Sequence, residues 1–206
     1  MKYDNQKGEI YSDKIINELD RFVFDFLNIL EKHSEYVIVS GYVSIVLGRT
    51  RASEDVDLLI PRMNFDKFHQ LFNDINKNDF ECLNTSDVRE AFEIWQQHAI
   101  RFSRGGMPIP NMEFKMINNE IQEDAFRNRI NLILENKTIY ISPLELQIAY
   151  KLSIISQGNF EEISSDKDFE DAKHIYEYFK DKLNKDKLSY YIELFKVHEA
   201  WRWLQK

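Results

Sequence analysis

Apolar residues recur at three- and four-residue spacing through Ile15, Leu19, Phe22, Phe26 and Leu30. That period predicts an amphipathic helix, with Ser12 or Asp13 as its cap. His33-Ser34-Glu35 breaks the pattern, and the β-branched run Tyr36 to Val39 predicts a short strand. Tyr42 to Leu47 follows as a short apolar helix closed by Gly48, and Arg49 to Glu54 as a polar loop. A second strand is expected over Val56 to Ile60, stopped by Pro61. Helices are expected over Phe65 to Ile75 and Val88 to Gln97, and strands over Phe80 to Leu83, Ala99 to Ser103 and Met112 to Ile117. Thr138 to Ile141 is expected as a terminal or edge strand.

The character changes after Ser142-Pro143. Leu144 to Ser156 has an apolar face, with Ser142 expected as its cap and Pro143 in its first turn. Asp168 to Leu183 and Leu188 to Leu204 are expected as two more helices. A mixed half followed by a helical half predicts an α+β fold rather than a regular βαβα winding. On this basis residues 1–141 form an α/β core and residues 142–206 a C-terminal helical part packed on it.

Composition narrows the class. The chain has 206 residues, few glycines and prolines, and fifteen Phe and ten Tyr to fill a core. Its single cysteine, Cys82, excludes an internal disulfide framework and a cysteine-based zinc cluster. Cys82 itself is expected as a small buried apolar residue. A net charge of −8 argues against a surface coated for gripping long duplex nucleic acid, while leaving room for a local basic groove. The N-terminal stretch is polar and no apolar run reaches membrane-spanning length, so no membrane association and a cytoplasmic location are expected. The five histidines lack metal-ligand spacing, and no Walker-type or dinucleotide-binding glycine loop is present.

The segment from Val37 to Ile60 carries the chemistry. A strand ends at Ser40-Gly41, which opens a helix, and a helix start offers free N–H groups to a phosphate. Farther along, Asp55 and Asp57 sit at alternate positions of a strand and so share one face. Two like charges held this close call for a hard divalent cation such as Mg²⁺ or Mn²⁺ bridging to phosphates. Arg49 and Arg51 stand next to this pair and are candidates to hold a triphosphate.

These residues resemble the signature of the DNA polymerase β-type nucleotidyltransferase superfamily: an apolar residue, Gly, Gly or Ser, a spacer, then Asp-x-Asp. The closer likeness is to the AbiEii-like bacterial toxins and related small nucleotidyltransferases, through the run Arg51-Ala52-Ser53-Glu54-Asp55-Val56-Asp57-Leu58. Ser40 stands where the first glycine of the pair is usual. The resemblance implies a polymerase β-like fold, a small mixed sheet flanked by helices with a C-terminal helical part. It implies catalytic and metal-binding roles for Asp55 and Asp57. It also implies a third acid on a neighbouring strand, for which Glu113 is the candidate although aspartate is usual there. Nucleotide binding is implied for Ser40, Gly41, Arg49, Arg51 and Ser53. A lysine-bearing helix followed by a Lys-Asp-x-x-Asp run adds Lys151 and Asp168.

The expected activity is Mg²⁺-dependent transfer of an NMP from an NTP to an acceptor hydroxyl of RNA or protein, in a toxin–antitoxin or phage-defence setting with a possible antitoxin partner. Small-molecule (antibiotic) nucleotidyl transfer, or a non-catalytic nucleotide- or partner-binding member of the fold, are the alternatives. Plainer structural roles remain open for individual residues. Glu113 and Lys115 share a strand face and can pair, and Asp168 can cap a helix or join a buried salt bridge locking helices to the sheet. Arg101, Arg104, Arg127 and Arg129 are candidates for an acceptor groove or scattered surface charge.

Overall fold

A computed structural model describes residues 1–155, 158 and 160–206. In chain order the elements begin β1 (Lys2–Asp4), β2 (Glu9–Ser12), α1 (Glu18–Leu30), β3 (Val37–Val39), α2 (Gly41–Val46) and β4 (Asp55–Ile60). Next come α3 (Phe65–Lys77), β5 (Phe80–Cys82), α4 (Val88–Trp95), β6 (Ile100–Arg104), β7 (Asn111–Met116) and α5 (Glu120–Arg127). The chain continues with β8 (Ile130–Leu134), β9 (Lys137–Ile141), α6 (Leu144–Ser153), α7 (Phe160–Ile163), α8 (Lys167–Phe179), α9 (Lys185–Phe195) and α10 (His198–Leu204). The mixed α/β class expected from the sequence is what is found. The chain clusters into two compact units. One comprises residues 15–42 and 52–127, the other residues 1–14, 43–51 and 128–206.

In the first unit the strands run in the order β3-β4-β7-β6-β5. The β4–β7 pair is parallel and the others antiparallel, so the sheet is mixed. Val56, Leu58 and Ile60 alternate onto the same face as Met112, Phe114 and Met116 of β7, and all are buried. Rings fill this face: Trp95 packs on Phe68 and Phe114, and Phe102 on Phe26, Phe72 and Phe114. The opposite face carries Asp55, Asp57, Asn111, Glu113, Lys115 and Arg101. The sheet therefore has an apolar side that holds the unit together and an ionisable side that it does not need for its core.

Helix α1 starts later than its periodicity suggests. Ser12 belongs to β2, Ile15 is 88% exposed, and Asn17 is the N-cap. The Asn17 side chain accepts from the Asp20 N–H at 3.0 Å, and the Asp20 carboxylate accepts from the Asn17 N–H at 2.9 Å. This reciprocal capping box starts the helix at Asn17, after Ser12 has been taken into β2. Asp20 also accepts from the Tyr42 hydroxyl at 2.8 Å in a buried contact that ties the start of α2 to α1. Replacing Asn17 by alanine is expected to cost about 1 kcal/mol, read as a lowered midpoint in urea unfolding.

In the second unit β1 pairs antiparallel with β2, β2 parallel with β8, and β8 antiparallel with β9. Helices α6, α8, α9 and α10 pack on one another. Strands β1, β2 and β8 and helices α5 and α7 are not anticipated by the sequence pattern; α5 and β8 lie in a stretch whose apolar residues follow no single period for long. The expected Ser142 cap is corrected: α6 has Pro143 at its N-cap position with no side-chain cap, and the Ser142 hydroxyl donates to Gln147 instead. Ser156, the expected end of that helix, lies outside the described residues. The single helix expected over Leu188 to Leu204 is two, since Lys196 takes a left-handed φ of 56° and turns the chain between α9 and α10. Gly48 ends the turn after α2 at a φ of 100°, a conformation that suits glycine.

Candidate active site

Parallel pairing of β4 with β7 sets Asp57 directly beside Glu113, and Asp55 beside Asn111. Antiparallel pairing of β6 with β7 sets Arg101 on the other side of Glu113. Asp55, Asp57, Glu113 and Arg101 therefore share one sheet face by register, with Lys115 two residues beyond Glu113 on the same face. The Lys115 ammonium lies 2.6 Å from Asp57 Oδ1 and 2.8 Å from Glu113 Oε2. Arg101 donates to Glu113 Oε1 at 2.9 Å. The Asp57 and Glu113 side chains are only 11% and 13% exposed.

The electrostatics follow from this packing. Burial pushes the Asp57 carboxyl up to about 6, the neighbouring Glu113 adds to the rise, and Lys115 opposes it. Burial works to raise Glu113 too, but the hydrogen bonds with Asp57 and Lys115 and the Lys115 and Arg101 charges carry it below its ordinary value. Burial disfavours the Lys115 ammonium, yet the two carboxylates outweigh it and hold its pKa raised. The more exposed, doubly paired Glu113 is thus the standing anion, and Asp57 the group nearer to neutral titration.

Asp55, two residues before Asp57 on the same face, is half-buried. The Ser53 hydroxyl donates to the Asp55 carbonyl at 2.9 Å and approaches its Oδ1 at 3.5 Å, so Ser53 positions this residue. Among the described residues no group of three or more His, Cys, Asp or Glu side chains gathers so as to hold a metal ion. Asp57 and Glu113 do meet around one cation, the Lys115 ammonium, and oxygen donors so disposed suit a hard divalent ion.

Ser40 follows Val39, the partner of Asp57 across β3 and β4. It adopts a φ of 63°, the left-handed region that favours glycine. Serine stands there in place of the glycine usual in the resembling signature, at a conformational cost of about 1–2 kcal/mol. Gly41 begins α2 immediately afterwards.

The cationic candidates cluster in the other unit around Asp171, the second aspartate of the Lys-Asp-x-x-Asp run. Asp171 on α8 is fully buried and holds three cations. Arg51 engages it through two bonds, Nε to Oδ1 at 3.1 Å and Nη2 to Oδ2 at 2.9 Å. Arg49 pairs with Oδ1 and also donates to the Lys167 carbonyl at 2.8 Å. Lys151, 2% exposed on α6, lies 2.9 Å from Asp171 and 2.5 Å from Asp168. Asp168 is not the cap of α8, a place taken by Asp166. Burial favours a neutral Asp171, but Arg51, Lys151 and Arg49 together hold its carboxyl below the ordinary range.

The remaining arginines are individually committed. Arg104 pairs with Asp25 and lies over the Phe80 ring. Arg127 makes an exposed i,i+4 pair with Glu123, and Arg129 lies over the Tyr140 ring. A cavity of about 410 Å³ is lined by Glu18, Asp25, Arg21, Arg104 and Ser53 with the apolar Phe22 and Met107. Ser53 joins that cavity to Asp55. Cys82 is half-buried rather than buried as expected, and burial pushes its thiol up.

No family model matches the chain, and no curated protein matches it. Solved structures do. An antigenic nucleotidyltransferase-like protein from Paracoccidioides brasiliensis superposes with a TM-score of 0.52 at 16% identity, over 90% of each chain. The antibiotic-resistance factor ANT(2'')-Ia superposes with a TM-score of 0.54 at 12% identity, over 88% of this chain and 93% of that one. At these identities the likeness shows the fold, which is nucleotidyltransferase-like.

Proposed function

We propose that this chain is a nucleotidyltransferase that moves an NMP from an NTP to an acceptor hydroxyl and releases pyrophosphate. One observation carries the reading. On a nucleotidyltransferase-like fold, register brings Asp57 and Glu113 side by side around a cation, with Asp55 on the same strand face. In the reaction the acceptor oxygen bonds to the α-phosphorus, the bond to pyrophosphate breaks, and the acceptor proton leaves to a base. Bound Mg²⁺ or Mn²⁺ would supply charge neutralisation at the phosphates. Asp57 and Glu113, joined by Asp55, would hold it. The left-handed Ser40 and Gly41 would present backbone to phosphate oxygens, and Ser53 would keep Asp55 in place.

For Arg49, Arg51, Lys151 and Asp168 the packing around Asp171 supports a structural role first. Their three cations exceed the two carboxylates by one charge, which leaves a phosphate-binding role compatible with it. The Arg51–Leu58 run supports an RNA or protein acceptor and a toxin or phage-defence role, with an antitoxin as partner. No helix among the described residues is long and apolar enough to cross a membrane. A non-catalytic role has one observation in its favour, the Lys115 ammonium seated between Asp57 and Glu113.

The test is incubation with each α-³²P-labelled NTP, Mg²⁺ and total RNA, alongside an Asp55→Ala/Asp57→Ala double variant. Label on RNA or protein with the wild type only establishes transfer and names the acceptor class. Label appearing only when aminoglycosides are supplied moves the assignment to a small-molecule acceptor. Absence of transfer together with absence of Mg²⁺-dependent NTP binding leaves the non-catalytic reading.

A further inference from the structure

Lys115 sits where a cation is needed and has somewhere else to go. Its ammonium is shared by two nearly buried carboxylates, at 2.6 Å from Asp57 and 2.8 Å from Glu113. Arg101 neutralises Glu113 from the other side. With Lys115 in place the four groups sum to zero charge. A divalent cation on the same oxygens would, even with Asp55 of the same strand face counted, leave one positive charge in excess and repel the ammonium at short range. The ammonium and a dication are therefore alternatives at this pair of carboxylates.

Lys115 also borders a cavity of about 160 Å³ whose lining residues include Trp95, Gln96, Gln97, His98, Asn118 and Gln122. Side-chain amides offer carbonyl oxygens to an ammonium. A lysine side chain is a flexible four-carbon stem, and rotation about its bonds can trade the carboxylates for the amides.

We infer that Lys115 is a displaceable internal cation, which holds Asp57 and Glu113 together until a divalent ion takes its place and then turns into the amide-lined cavity beside Trp95. The inference rests on the proposed metal-binding role of those carboxylates. It makes Lys115 a positioning residue: it keeps two like charges in register before loading and lowers the affinity for free metal.

Mn²⁺ titration followed by the EPR signal of the free ion tests this on the purified chain, with Lys115→Met and Lys115→Arg beside the wild type. Lys115→Met is expected to bind Mn²⁺ at least about tenfold more tightly, and Lys115→Arg to stay close to the wild type. In a Trp201→Phe/Trp203→Phe background, Mn²⁺ is expected to change Trp95 emission when Lys115 is present and not when it is methionine. Equal or weaker binding by Lys115→Met, or no binding by either protein, overturns the inference. The Asp55→Ala/Asp57→Ala variant separates the two failures. If it binds Mn²⁺ as the wild type does, the metal-site reading falls; if it loses binding while Lys115→Met merely equals the wild type, only the displacement falls.

Discussion

Replacement of Asp171 by asparagine is expected to destabilise the chain by about 3–5 kcal/mol, the cost of stripping the partner from buried charges. Asp171 is fully buried, and Arg49, Arg51 and Lys151 all converge on it. Asparagine fits the same space but removes the negative charge, leaving Asp168 alone against three cations. It also breaks the two-pronged Arg51 contact, because an amide presents one acceptor where the carboxylate presents two. Lys151→Met is the informative contrast. Two arginines still neutralise Asp171 in that variant, and a methionine stem fills the lysine's path, so the expected loss is smaller, about 1–2 kcal/mol. Urea unfolding measures both. Since Asp171 is held below its ordinary value of 3.8, its contribution is present above that pH and lost as pH falls through the folded value. Equal losses for the two variants would show that the cluster does not centre on Asp171.

This cluster also marks where sequence reading stops. The strand bearing Asp55 and Asp57 is legible, because apolar neighbours and alternation place both on one face of a core strand. Glu113 and Lys115 are legible as face-mates at spacing two. Their meeting with Asp57 is not, because it depends on parallel register between segments more than fifty residues apart. The same holds for Arg49 and Arg51, which read locally as neighbours of the aspartates. Their bonds to Asp171 span some 120 residues, and nothing in the loop's own pattern announces them. The late start of α1 and the break at Lys196 fail for another reason. Apolar period alone cannot say whether Ile15 is buried, nor whether a lysine turns left-handed. Only the capping box Asn17–Asp20, four residues of local chemistry, could have corrected the first.

Asp57→Asn is expected to lower NMP transfer by about a thousandfold or more, while leaving the fold intact and slightly more stable at neutral pH. The two effects have one cause. Asp57 is buried, and burial with Glu113 beside it raises its pKa from 3.8 to about 6. The folded chain therefore binds this proton more tightly than the unfolded chain. Folding takes up a proton between those values, and stability falls as pH rises across the window. In the presence of a chelator, the wild type is expected to lose about 1 kcal/mol from about pH 5 to about pH 7 through this group. Glu113 has the opposite sign: its lowered pKa adds stability above its ordinary value of 4.5 that is lost only on further acidification. It therefore does not mask the slope. Asparagine cannot ionise, and Lys115 keeps Glu113 as its partner in the variant, so the slope should flatten. Thermal unfolding at both pH values, with and without Mg²⁺, reads the stability arm; the labelled-NTP assay reads the other. A variant that is both inactive and unfolded would assign Asp57 to the scaffold. A stable, flat-sloped and inactive variant would mean that the site holds this charge against the fold's own preference, which is the behaviour expected of a group kept for catalysis.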